Sequence, residues 1–521
     1  MSKKAYKTPG VYIEEASAFP NSVAPVETAI PAFIGYTPQA NHNGQDCTFV
    51  PTKITSFLEF QQIFGFPEES EPVQQYSPQY YLVKQNSTPS NGDFLLIGSD
   101  YYSVLPDAST IYYLYNSVKL FYQNGGDYAY IVSVGGYAKA SGAALPLGNP
   151  LLNPNVQLSD LLKGLEKLKQ EERVTMYICP EATLLSLAEN GTLMQAMLLQ
   201  NSEMQTAISI FDIIGGNREN PLGYTADIEA FRNHTGTTGL NFGAAYYPFV
   251  GTTVMGERDL NFTNLFGGDI SKLATIFNSL TKPEEKTLEF LKSTYSSENA
   301  QSVGENHRIL LVISPLYKDI IATVLKLANI LPASGGMAGV ITMVDNSRGV
   351  WKAAANVSIA GVATLPIKID QAEQEGLNVD ISGKSINAIR TFPGMGVLVW
   401  GARTLDGNSL DWRYINVRRT MICIEQSCKN ACKGFVFEPN DANTWAQITS
   451  MIENFLNSFW RQGGLAGSTP NHAYFVNCSL ASTMTSQDIS DGRLLVNIGV
   501  AITRPAEFIV ISFTQQQRVS P

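Results

Sequence analysis

The sequence predicts a multidomain chain, α/β in its centre and α+β toward its C-terminal end, with extended β arms at both termini. Three observations carry that expectation. The chain has 521 residues, and chains beyond about 250–300 residues split into several cores. Strand-like and helix-like runs alternate from 159 to 394, which implies a parallel sheet covered on both faces. A short strand-like run stands near each end, Val11-Tyr12-Ile13-Glu14 and Phe508-Ile509-Val510-Ile511, set apart by proline and polar residues. Unpaired strand edges recruit other chains, so both runs are read as arms that pair between copies.

The elements follow in order. Residues 1–20 are the N-terminal arm, with Pro9-Gly10 ahead of its strand. Residues 21–137 read as an α+β region that opens with a buried strand ending at Gly35. A helix follows, with Phe57, Phe60, Ile63 and Phe64 at helical spacing and a stop at Gly65 and Pro67. A Tyr-, Pro- and Ser-rich variable insertion of short strands and turns lies near 68–116, before a helix, the Asn124-Gly125-Gly126 turn and a strand from Ala129 to Val134. Residues 138–158, rich in Ala, Gly and Pro, read as a linker.

Residues 159–394 form the α/β domain. Its first helix carries Leu161, Leu162, Leu165 and Leu168 on one face, and VTMYICP, AISIFDII and GAAYYPFV are strands separated by helical stretches. PLYKDIIATVLKLANILP is a helix between prolines, and the polar stretch 281–307 is read as a surface excursion. Residues 395–505 form a C-terminal α+β module. It holds the strand MGVLVWGARTL, the helix RYINVRRTMICIEQSCKNA, and a second helix behind Asn440 and Asp441 that stops at Gly463-Gly464. HAYFVNCS, RLLVNIGVAIT and EFIVISF are strands, the last within the C-terminal arm, 506–521. No repeat of fixed period is present.

Composition narrows the function. Net charge is −10, and charged residues are 16% of the chain against roughly 25% in ordinary soluble domains. Interface cores are poor in charge and rich in aromatics, and this chain has 23 Tyr and 25 Phe. A surface covered by partners and a large monomer with a neutral Asn/Ser/Thr/Gln surface fit this composition equally. No Lys/Arg tract points to nucleic acid. No run approaches the ~20 apolar residues that span a bilayer, so no direct membrane insertion is expected. The N-terminus is polar and aromatic, which is not a signal-peptide pattern, and cytoplasmic synthesis is expected.

No chemistry is legible. Gly383-Lys384-Ser385 follows Gly376 at six intervening residues, whereas a phosphate-cradling loop needs four. There is no GxSxG elbow. His42, His234, His307 and His472 have no metal-ligand spacing, and His234-Thr235-Gly236-Thr237 lacks a following nucleophile segment. Glu14-Glu15 and Glu171-Glu172 read as solvated faces. Cys423, Cys428 and Cys432 would be a metal candidate only with a completing His or second Cys pair, so the six cysteines are read as buried thiols. No catalytic residue, cofactor or metal is expected.

One block is specific. Asp345, Arg348, Gly349, Val350, Trp351, Lys352, Ala353, Ala355 and Asn356 are followed by Asn387, and then by Gly394, Gly396, Trp400, Gly401, Ala402, Arg403 and Thr404. Arg413-Tyr414-Ile415-Asn416-Val417-Arg418-Arg419 and Phe437-Glu438-Pro439-Asn440 come after, in the same order as in one family. With Pro9-Gly10-Val11-Tyr12 and the Asn124-Gly125-Gly126 turn, this resembles the tail sheath family of contractile phage tails and contractile injection systems. Any packed α/β domain uses glycine turns, a buried Trp and a satisfied Arg; their joint order is what a generic fold does not supply.

The resemblance implies a central subtilisin-like α/β domain without catalytic residues, and a non-enzymatic structural subunit. It implies sixfold rings of this chain stacked helically around an inner tube protein, with baseplate, terminal cap and paralogous sheath proteins as further partners. It also implies contraction from a metastable extended state that drives the tube through a target envelope. Assembly in the bacterial cytoplasm is expected, as part of a phage tail or of a tail-like particle that is released or held at a membrane through other components. Signature residues Asp345, Arg348, Trp351, Asn356, Trp400, Arg403, Arg418 and Arg419 are expected to be structural. The tube-facing residues are placed at Glu453, Asn454, Asn457 and Arg461, on the polar side of the second C-terminal helix. An inactive or divergent subtilisin-like hydrolase and a non-contractile surface-layer or adhesin protein are the competing readings.

Overall fold

The computed structural model describes residues 22–66, 78–86, 94–218, 223–278, 285–294 and 300–509. Val11, Tyr12, Ile13 and Glu14 of the N-terminal arm and Val510 and Ile511 of the C-terminal arm lie outside the described residues. The chain forms two compact units, a larger one of Glu27–Ile422 with Arg504–Pro521 and a smaller one of Met1–Val26 with Cys423–Thr503.

In the larger unit the most apolar strand runs become the centre of a nine-stranded sheet. Its strands are β1 (Pro31–Gly35), β4 (Thr52–Ile54), β8 (Ala129–Ser133), β9 (Met176–Ile178), β10 (Ile208–Asp212), β11 (Gly243–Tyr247), β14 (Val357–Ser358), β16 (Asn387–Phe392) and β17 (Gly396–Val399), in the order β14-β17-β16-β11-β10-β9-β1-β8-β4. From β8 to β16 every pairing is parallel, whereas β4, β17 and β14 are antiparallel additions at the two edges. Strands β1, β8, β9, β10 and β11 are buried at every residue, as a parallel sheet covered on both faces requires. The stretch 396–399 therefore pairs inside this sheet, as do β1, β4 and β8 from 21–137.

Helices α1 (Phe57–Phe64), α2 (Leu114–Gln123), α3 (Leu158–Lys167), α4 (Leu187–Met204) and α5 (Tyr224–His234) lie between these strands in sequence. Neighbouring residues of β1 show the two faces. The Phe33 ring packs edge-on against Phe121 of α2, centroids 5.5 Å apart, whereas Ile34 points to Gly164 of α3, where a Cβ would stand 3.0 Å from its Cγ2. Between β11 and β16 come α6 (Ile270–Asn278), α7 (Glu285–Thr294), α8 (Ala300–Ile313), α9 (Pro315–Ala328), α10 (Ser334–Arg348) and α11 (Gln371–Asn378). Small antiparallel groups complete the unit: the hairpin β2 (Asn41–His42) with β3 (Gln45–Asp46), the sheet β5-β7-β6 (Tyr80–Gln85, Asp100–Pro106, Phe94–Ile97) and the sheet β13-β12-β15 (Ile330–Leu331, Val250–Thr252, Val362–Thr364).

One stretch departs from the sequence reading, and one helix has no counterpart in it. The polar stretch 281–307 holds α7 and the start of α8, with Leu288, Leu291 and Val303 buried. Leu288 and Leu291 stand three apart on α7, a helical spacing that the many charged neighbours obscured. GGMAGVITMVDNSR is a buried helix, α10, despite three glycines, each of which disfavours a helix interior. The glycines allow α2 to approach: a Cβ on Gly335 would lie 2.6 Å from the Ser117 carbonyl oxygen, and one on Gly339 2.5 Å from that of Phe121. Gly339→Ala is therefore expected to destabilise the protein by about 1–3 kcal/mol through overpacking, although Ala is the better helix former. Chemical denaturation checks this, and a gain in stability would contradict it.

In the smaller unit the end of α12 (Ile415–Cys432) is followed by α13 (Ala442–Arg461), α14 (Pro470–Ala473), β18 (Tyr474–Asn477), α15 (Ser486–Ser490) and β19 (Asn497–Val500). Asp441 caps α13 by accepting the Asn443 and Thr444 amides, and Gly463 turns the chain with φ +88°. Trp445, Ile448, Met451, Ile452, Phe455, Leu456 and Phe459 form the buried face of that helix.

Candidate assembly surfaces

The smaller unit contains a two-stranded sheet, β18 against β19, with register Tyr474 to Val500 and Asn477 to Asn497. A two-stranded sheet is marginal alone, and a third strand or a packed helix stabilises it. Its outer positions carry exposed Phe475. On α13, Glu453, Asn454 and Arg461 are exposed and Asn457 is half-buried, all off the apolar face. With Asn443, Gln447 and Ser450 also exposed, this side is dominated by amides and hydroxyls.

Seven of the eight signature residues make contacts at separate points within the larger unit. Asp345, with 3% of its side chain exposed, accepts two hydrogen bonds from Arg419, Nη1 to Oδ1 at 2.9 Å and Nη2 to Oδ2 at 2.6 Å. Thr28 donates its hydroxyl to Asp345 Oδ2 at 2.6 Å, and Arg419 Nη2 also donates to the Thr28 carbonyl at 2.8 Å. Arg418 stacks over Phe242 and Trp412, its guanidinium carbon 4.6 and 4.5 Å from the ring centroids. Trp351 lies over Gly349, whose φ is +89°, and its carbonyl accepts the Asn416 side chain at 2.8 Å. Asn356 has φ +56°, a left-handed value that Asn tolerates better than most residues, and its amide reaches the Val399 carbonyl at 2.8 Å. Trp400 packs on Phe392 at 4.4 Å between centroids. Arg348 is exposed at the end of α10.

Arg403 leads to a residue the sequence reading missed. Its Nε and Nη2 donate to Glu507 Oε1 and Oε2 at 2.9 and 2.7 Å. Asn378 Nδ2 donates to Oε1 at 2.9 Å and the Tyr414 hydroxyl to Oε2 at 3.1 Å. Burial pushes the Glu507 carboxyl up, but the hydrogen bonds from Arg403, Asn378 and Tyr414 outweigh it and hold it below its ordinary value. Phe508 and Ile509, next along the chain, have no regular structure here and are exposed, at 72% and 78%. The Arg504-Pro505 approach is thus tied down at Glu507. The available signal was a buried arginine, Arg403, with no acidic partner in its own motif.

The ligand position of an open α/β sheet lies beyond the strand ends where strand order reverses, here between β1 and β9. Glu181, fully buried, occupies it. Its Oε1 accepts the Tyr113 and Leu114 amides at 3.3 and 2.7 Å, at the start of α2, so the chain's own carboxyl group takes the place an anion would fill. Asp212, at the end of β10, likewise accepts the Ser334 amide at the start of α10, 3.0 Å. Among the described residues no group of three or more His, Cys, Asp and Glu is placed to hold a metal ion, and no helix is long and apolar enough to cross a membrane. Lys384 donates to the Arg232 carbonyl, His234 Nδ1 bonds the Ala230 carbonyl at 2.7 Å, and all six cysteines are free thiols.

Residues 408–516 match the family Phage tail sheath C-terminal domain. The tail sheath protein of Vibrio phage KVP40 is 25% identical over 186 residues, 35% of this chain and 26% of that protein. The tail sheath protein of Burkholderia phage BcepMu is 25% identical over 182 residues, 34% of this chain and 36% of that one. The chain thus spans about a quarter to a third of the curated relatives it matches. A solved sheath of an extracellular contractile injection system, the PVC sheath complex in its contracted state, is 25% identical, with TM-score 0.56 over 99% of both chains. The chain is similar to tail sheath proteins. The C-terminal sheath-domain match takes in Arg418, Arg419, the tube-facing candidates on α13, the β18–β19 sheet and Glu507, and Arg403 stands five residues ahead of it.

Proposed function

We propose that this chain is the structural subunit of a contractile sheath. It polymerises as helically stacked hexameric rings around an inner tube and contracts from a metastable extended state to drive the tube through a target envelope. The full-length likeness to a contracted injection-system sheath carries this reading. A subunit that repeats along a helix joins unlike faces, and the arms supply such a contact by adding a strand to a neighbour's sheet edge. The narrow β18–β19 sheet is the acceptor this reading favours, since it gains most from further strands. About four backbone hydrogen bonds per arm, at roughly 1 kcal/mol each, give on the order of 4 kcal/mol per arm. The extended state is held by tube and baseplate contacts and the contracted one by new subunit contacts, two packings of one body.

The parallel sheet with helical crossovers supports a subtilisin-like core in 159–394 whose role is structural, with the polar side of α13, including Glu453, Asn454, Asn457 and Arg461, turned to the tube. Baseplate, cap and paralogous sheath proteins are the further partners. Negative-stain microscopy of the purified chain tests the reading: wide cogwheel-like tubes support it, whereas a monodisperse monomer with protease or esterase turnover overturns it. Deleting residues 1–15, or Ile509→Asp, is expected to leave a folded monomer that forms no long tubes. Normal assembly and contraction by both variants would refute the interlocking of arms.

A further inference from the structure

The strand-like run of the C-terminal arm begins at the residue after a fourfold hydrogen-bonded carboxylate, and that juxtaposition has a geometric consequence. Glu507 keeps 20% of its side chain exposed and Arg403 only 5%, and both carboxylate oxygens are shared between two donors. Arg403 is itself fixed. Its amide donates to Asn387 Oδ1 at 2.8 Å, its carbonyl accepts Asn387 Nδ2 at 2.8 Å, and its Nη1 donates to the Asn378 carbonyl at 3.1 Å. Asn387 opens β16, so the clamp is built onto a strand of the main sheet. Consecutive Cα atoms are ~3.8 Å apart, and this short spacing ties the position of Phe508 to that of Glu507.

We propose that the Glu507–Arg403 clamp is a register pin: it sets which residues of the C-terminal arm meet the acceptor strand, and the signature arginine Arg403 serves that purpose. The proposal rests on the arm-donating function above. A strand presents alternate side chains to opposite faces, so a one-residue slip exchanges its faces and a two-residue slip displaces it by ~6.6–6.8 Å. Backbone pairing alone does not oppose such slips, because every register offers the same donors and acceptors. An arm rooted at Glu507 opposes both. Bidentate Arg–carboxylate geometry suits this task because it fixes direction as well as distance. Glu507 is thus a positioning residue for assembly and touches no partner itself.

The test uses the full chain with Glu507→Gln, which keeps side-chain shape but removes the charge from the clamp. In the unassembled protein, at a temperature well below the melting transition of both forms, chymotrypsin cleavage after Phe508 is expected to rise by at least about tenfold, given the loss of charge-assisted bonds. In assembly, tubes are expected to be short and irregular, and Glu507→Asp, which restores the charge on a shorter stem, to recover part of the length. Unchanged cleavage after Phe508 would refute the clamp. Increased cleavage with regular, full-length tubes would refute the register role. Absence of tubes from the unmodified chain would overturn the sheath reading, while the cleavage result would still decide whether the arm root is anchored.

Discussion

Asp345→Ala is expected to lower the stability of the protein by about 3–5 kcal/mol, because it leaves the Arg419 guanidinium buried without its counter-ion. The carboxylate accepts from both Arg419 terminal nitrogens and from the Thr28 hydroxyl, with 3% of one side chain and 5% of the other exposed. Thr28 precedes β1, Asp345 lies near the end of α10, and Arg419 is in the first half of α12, so one carboxylate joins three distant parts of the chain. Denaturant unfolding measures the loss. Replacing both partners together, Asp345→Leu with Arg419→Met, is expected to cost less than Asp345→Ala alone, since no charge remains stranded. A single substitution with no effect on the unfolding midpoint would show that the pair is not the joint described here.

The second large effect is a pH dependence. Burial pushes the Glu181 carboxyl up from 4.5 to about 8, against the lowering effect of the backbone amides it accepts. Burial also pushes Asp212 up to about 6, against the hydrogen bonds from Ser334 and Ala333. For a carboxyl raised by folding, the native state keeps a proton that the unfolded chain has released. Stability therefore falls as pH rises from the unfolded value to the folded one, and levels off above it. For Glu181 the window runs from 4.5 to about 8, and the summed loss is on the order of 5 kcal/mol. Glu181→Gln keeps an acceptor for the Tyr113 and Leu114 amides and does not titrate. Its melting-temperature advantage over the unmodified chain should grow from pH 5 to pH 8. An advantage independent of pH would mean that Glu181 is already ionised in the native state.

Much of this was legible in the residues. The central strands are uninterrupted apolar runs bounded by turns. The caps of α13 are ordinary cap chemistry: Asp441 accepts two amides, and the Asn440 side chain accepts from Trp445 Nε1 at 2.7 Å. What failed had a tertiary cause. The glycines of α10 disfavour a helix locally and are tolerated because α2 lies against them. Glu181, Asp212 and Glu507 are single acids with no local pattern. Glu181 and Asp212 matter only because the sheet brings them to the starts of α2 and α10, 67 and 122 residues away in sequence. Glu507 matters only because Arg403, 104 residues earlier, needs a partner.

The ends of the main sheet are β4 and β14, of three and two residues. So short a border offers little for a stray chain to pair with, so the main sheet adds little to any tendency of the protein to stick to itself at high concentration.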